Sequence, residues 1–93
     1  MDTAIKLFRR FLDEELEKYR LNVRQSNDVY KFSTVVLREY FAKYVGEDRA
    51  AKCVIALTTG HIEIELMRSG FEIVERRRGV FIVRRVKGDA DGR

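Results

Sequence analysis

The chain contains no proline and no tryptophan, one cysteine and one histidine. Cys53 alone cannot close an internal disulfide, so a reducing, intracellular setting is expected. With no base beside it, Cys53 reads as a small buried hydrophobe, not a nucleophile. His61 has no Cys or Asp neighbours at metal-ligand spacing, so no metal is expected. No glycine-rich phosphate loop occurs, and the pairs Glu14/Glu15 and Glu63/Glu65 read as solvated carboxylates. An enzyme, a small-molecule substrate and a cofactor are therefore not expected. No apolar run approaches the roughly 18 residues of a membrane span. The first residues, MDTAIKLFRR, lack the long apolar core of a signal peptide, and a cytoplasmic location without a membrane is expected. Asn and Gln are scarce while charge is abundant, which points to a thermophilic source. The absence of proline points the other way.

What is present fits one small folded domain. The length is 93 residues, with 45% hydrophobic and 37% charged side chains, outside the range of disordered chains. The formal charge of +4 is modest, so its distribution matters more than its sum. An acidic partner fits that balance, nucleic acid being the commonest.

Thr3 is an N-cap candidate, and Ile5, Phe8, Phe11, Leu12, Leu16 and Tyr19 recur at helical spacing. Together they predict one amphipathic helix over residues 3–20. LNVRQSND then reads as a connector. Ser33 is the next N-cap candidate. STVVLREYFAKYVG carries Val36, Leu37, Tyr40, Phe41, Tyr44 and Val45 on a broad face, closed by Gly46, which predicts a helix over 34–45. The preceding VYKF is extended in character. The acidic start of EDRAAKCVIAL suits a helix over 48–57. In HIEIELMRSGF, strict alternation from Ile62 to Leu66 is strand-like. Helix-favouring residues and the glycine-terminated end, with Thr59 as a cap, are helical in character. Both readings stand at this point. The four tyrosines read as packing residues, not a base-stacking platform.

GFEIVERRRGVFIVRRVKG reads as a β-hairpin. Pairing Arg76 with Val80 leaves Arg77, Arg78 and Gly79 as a three-residue loop, with Gly79 in the left-handed conformation. Glu72 then faces Arg84, Ile73 faces Val83 and Val74 faces Ile82. The arginines serve either as a solvated, aggregation-blocking surface or as contacts to an anionic partner. The end, KGDADGR, reads as a polar tail, with 89–93 flexible.

From residue 33 the order helix, helix, helix, hairpin resembles the winged helix-turn-helix superfamily, notably small archaeal and archaeal-virus proteins. In that resemblance EDRAAKCVIAL is the second helix of the domain, TTG the turn, HIEIELMRSG the recognition helix and FEIVERRRGVFIVRRV strand, wing and strand. The implied fold is α+β: a small winged-helix domain over 1–88, with a core of about 33–86 and an extra N-terminal amphipathic helix. The implied function is transcriptional regulation through double-stranded DNA. Thr59, His61 and Arg68 would serve the recognition helix at about 60–69. Arg76, Arg77, Arg78, Arg84, Arg85 and Lys87 would serve the wing at 76–87. One feature of the helix runs against this: Glu63 and Glu65 outnumber its one cation, Arg68. Two alternatives remain: a protein-interaction module in a replication or transcription assembly, and an α+β protein with a four-stranded meander and no nucleic-acid role. The apolar stripe of the first helix, Ile5, Phe8, Leu12, Leu16 and Tyr19, exceeds what such a core needs. It either folds back on the domain or forms a homodimer contact, and the dimer is the expectation.

Overall fold

The computed structural model describes residues 2–21 and 28–86. Its elements are α1 (Asp2–Glu14), a 3₁₀ turn (Leu16–Tyr19), β1 (Val29–Ser33), α2 (Thr34–Val45), α3 (Glu47–Thr58), α4 (Ile62–Arg68), β2 (Phe71–Arg77) and β3 (Val80–Arg85). The fold is α+β, with helices on one three-stranded antiparallel sheet of order β1-β3-β2. No helix among the described residues is long and apolar enough to cross a membrane.

The N-terminal segment departs from the expected single helix over 3–20. Asp2, not Thr3, opens α1, and the α-helix stops at Glu14. Asp13, Glu14 and Glu15 place three acids at the negative end of the helix dipole, and the last turn has no basic residue to offset them. The chain tightens instead into the 3₁₀ turn, with the Lys18 amide donating to the Glu15 carbonyl at 3.0 Å.

Ala4, Leu7, Phe8, Phe11 and Leu12 form the buried stripe of α1 at helical spacing. This stripe belongs to the core of its own domain. The Phe11 ring lies 5.5 Å from Phe32 on β1 and 5.4 Å from Tyr40 on α2, both edge-on. Phe32 stacks in turn on Phe81 of β3 at 5.6 Å. Phe8, Leu12 and Leu16 are buried, and Ile5 and Tyr19 sit half-buried against the same cluster. The surface expected to hold a second copy is thus already covered from within. The sequence could not separate the two uses, because an amphipathic stripe looks the same whichever surface covers it.

Helix α2 starts and stops as the sequence predicts. The Ser33 hydroxyl accepts from the Val36 amide at 3.2 Å, and Gly46, at φ 85°, donates its amide to the Ala42 carbonyl. That residue alone separates α2 from α3, so the two helices turn sharply against one another. Residues 62–68 are helical, which removes the strand alternative and with it the four-stranded meander. The end of α4 follows the expected glycine stop: Ser69 caps and Gly70 takes φ 87°. Thr59 does not cap α4. It closes α3, its hydroxyl donating to the Ala56 carbonyl at 2.8 Å, and His61 stands at the α4 N-cap without a side-chain cap bond.

The hairpin forms with a different turn. Arg77 pairs with Val80 across a two-residue turn of Arg78 and Gly79, with Gly79 at φ 70°. Glu72 pairs with Arg84 and Ile73 with Val83 as expected, but a bulge at Val74 sets Glu75, not Val74, opposite Ile82. Shortening the loop by one residue displaces the irregularity from the turn into β2. The sheet also gains a third strand. Tyr30 and Phe32 face the core on either side of exposed Lys31, and β1 pairs with β3 from Val80 to Arg84.

Candidate functional site at the hairpin tip

Strand pairing fixes where the tip lies. Ser33, the last residue of β1, pairs with Val80, the first of β3, so the start of α2 sits beside the turn. The Thr34 amide donates to the Gly79 carbonyl at 2.9 Å, fastening the tip to the helix. An ideal Cβ on Gly79 would stand 3.5 Å from the Thr34 hydroxyl, so backbone and helix are in ordinary contact there.

Between these parts lies a cleft of about 460 Å³, lined by Thr34, Thr58, Arg76, Arg77, Arg78 and Phe81. No carboxylate lines it. The Arg76 guanidinium lies 5.2 Å over the Phe81 ring and donates to Glu63 of α4 at 2.9 Å. Arg77 donates through Nε to Glu75. Each guanidinium has five N–H donors, so these single bonds orient the groups and leave further donors for a ligand. Arg78 is exposed and has no ion-pair partner among the described residues. Three cations and the Thr34 hydroxyl around one concavity suit an oxyanion, while the Thr58 hydroxyl already donates to the Ile55 carbonyl at 3.2 Å; guanidinium forks match phosphate oxygens.

The remaining hairpin arginines do not join this site. Arg84 and Arg85 lie at the opposite end of β3, about 17 Å from the tip at the usual strand rise, and successive strand residues point to opposite faces. Arg84 pairs with Glu72 across the strands. Arg85 lies 4.7 Å over the Phe71 ring and 5.9 Å over Tyr30, and its Nη2 is 3.9 Å from Glu17. It covers the rings at the base of the sheet, away from the tip, with its side chain 44% exposed. Lys87 lies outside the described residues.

Around α4 the expected residues separate further. Thr59 is exposed and His61 half-buried. Arg68 is exposed and 3.5 Å from Glu65. Glu65 itself is not a solvated carboxylate: it is 2% exposed and accepts from Arg9 at 2.9 Å. Sequence reasoning misses Thr34 and Thr58, which reach the cleft through strand pairing and helix packing. The only sequence signal was that Thr34 follows the N-cap Ser33. Among the described residues no group of three or more His, Cys, Asp or Glu side chains is placed to hold a metal ion. Cys53 is half-buried against the core, and Tyr30 and Tyr40 are buried.

No family model, no curated protein and no solved structure matches this chain.

Proposed function

We propose that this chain is a small winged-helix DNA-binding protein, acting in transcriptional regulation, that grips duplex phosphates with the tip of its hairpin. The observation that carries the reading is the carboxylate-free cleft of Arg76, Arg77 and Arg78 with the hydroxyl of Thr34. The order α2, α3, α4, hairpin supports the winged-helix assignment, with β1 completing the sheet. A phosphodiester oxygen in the cleft would accept from the guanidinium groups and displace condensed counterions from DNA, the main source of affinity in such contacts.

Arg84 and Arg85 are left out of the proposed contact, because both stand at the end of β3 away from the tip. A homodimer through α1 is also left out, because Phe8, Leu12 and Leu16 are in the core of the chain itself. The test is a titration of a labelled duplex at several salt concentrations. The expected result is a linear fall of log affinity with log salt. Absence of binding at low salt would contradict the reading.

A second reading, a protein-interaction module, draws on a different observation: Ile64 and Met67 stand exposed on α4.

A further inference from the structure

We infer that Glu63 of α4 masks Arg76, holding one arginine of the tip cleft in reserve, an inference that rests on the DNA-binding reading above. No carboxylate lines the cleft, but Arg76 carries one from outside it. Its Nη1 donates to Glu63 Oε2 at 2.9 Å. The other two arginines differ. Arg78 has no ion-pair partner among the described residues. Arg77 donates to Glu75 through Nε, so its terminal Nη1–Nη2 edge stays open, and its side chain is 74% exposed.

Glu63 is not needed to place Arg76. Arg76 pairs with Phe81 across the strands, and its guanidinium lies 5.2 Å over the Phe81 ring. That ring is 2% exposed and stacks on Phe32, so the platform beneath Arg76 is fixed by the core. What Glu63 adds is a negative charge on the terminal edge of the guanidinium. Carboxylate and phosphate oxygens use the same guanidinium fork, so an oxyanion approaching the Nη1–Nη2 edge of Arg76 competes with Glu63. The Arg76 and Glu63 side chains are 45% and 55% exposed. Pairs this open to water shift an equilibrium by up to about fivefold, which makes the mask reversible and still measurable. Its effect is to weaken the sequence-independent part of the grip, the part that phosphate contacts supply.

The test is a titration of a labelled duplex with the wild type and the variants E63Q, R76A, R76A/E63Q and E47Q, each over a range of salt. E63Q keeps the shape of the side chain and removes its charge. It should raise affinity by up to about fivefold and steepen the slope of log affinity against log salt by up to about 0.9, the share of one phosphate contact. In the R76A background the same change should do nothing. Glu47 opens α3 and Thr58 at the cleft ends it, so the two lie about 16 Å apart along the helix. That exceeds the screening length of about 8 Å at about 0.15 M salt, so E47Q should bind as the wild type does there. An E63Q variant with wild-type affinity and slope would overturn the inference and leave the DNA-binding reading standing. So would weaker binding by E63Q, which would make Glu63 a positioning partner of Arg76. A gain that persists in R76A/E63Q, or that E47Q matches, would overturn it as a general effect of net charge. A wild-type protein that binds no duplex at low salt would overturn both.

Discussion

Arg9 Nε donates to Glu65 Oε1 at 2.9 Å, joining α1 to α4 across 56 positions of sequence. Glu65 is buried while the Arg9 side chain is 50% exposed, so the two partners do not respond alike to removal. Arg9→Ala strands the carboxylate with only the longer Arg68 interaction, and stability should fall by about 1–3 kcal/mol. Glu65→Leu removes the buried charge and should be neutral or stabilising, since buried ion pairs repay their desolvation poorly. Urea midpoints of the two variants check this. A larger destabilisation by Glu65→Leu than by Arg9→Ala would mean the bridge contributes net stability.

Leu16 tests the place of the N-terminal segment. It is 1% exposed, behind the end of α1. Leu16→Ala should cost about 2–5 kcal/mol, as deletion of a buried leucine does. Light scattering should show the same mass for wild type and variant. A change of mass at unchanged stability would instead put the stripe at a subunit contact.

Stability should decline on both sides of a plateau in pH. The Glu17 carboxyl is held below its ordinary value of 4.5 by the hydrogen bond from the Tyr30 hydroxyl, with Arg20 the next contributor. A lowered folded value gives stability that is present above the unfolded pKa and lost as pH falls through the folded one. The Tyr40 phenol is raised above 10.0 by burial first, then by its bond with Tyr44 and the charge of Glu14. That contribution is present below the unfolded value and lost as pH rises through the folded one. Thermal midpoints should therefore drop below about pH 4.5 and above about pH 10. Tyr30→Phe should flatten the acid limb and leave the alkaline limb in place. An unchanged acid limb would remove the Tyr30–Glu17 bond from the account.

Local signals made much of this fold legible, and non-local ones did not. Ser33 and Gly46 announce the ends of α2 because a cap and a glycine stop act within one turn. The LMRSG ending decides the helix at 62–68 against the alternation of Ile62 to Leu66, because that alternation reflects something else. Glu65 turns inward to meet Arg9, a partner no local pattern reveals, and Ile64 is left outside. The pairing of β1 with β3 joins residues some 50 apart in sequence and is invisible to periodicity. The same pairing carries Thr34 to the hairpin tip. The run ERRR identified the candidate site, but the more distant RR of β3 looked equivalent to it. Only the strand length separates them, placing Arg85 over aromatic rings at the far end.

Phosphate contact at the hairpin tip would show in the salt dependence of DNA binding with and without Arg77 and Arg78. Each phosphate contact contributes about 0.9 to the slope of log affinity against log salt on duplex DNA. Replacing both arginines with alanine should reduce that slope by roughly two and weaken binding to all duplexes alike, because phosphate contacts carry no direct sequence information. Stability should move by no more than about 0.5 kcal/mol, as for other exposed substitutions. A double variant that binds with the wild-type affinity and the wild-type slope would contradict the account and leave the arginines as a solvated turn.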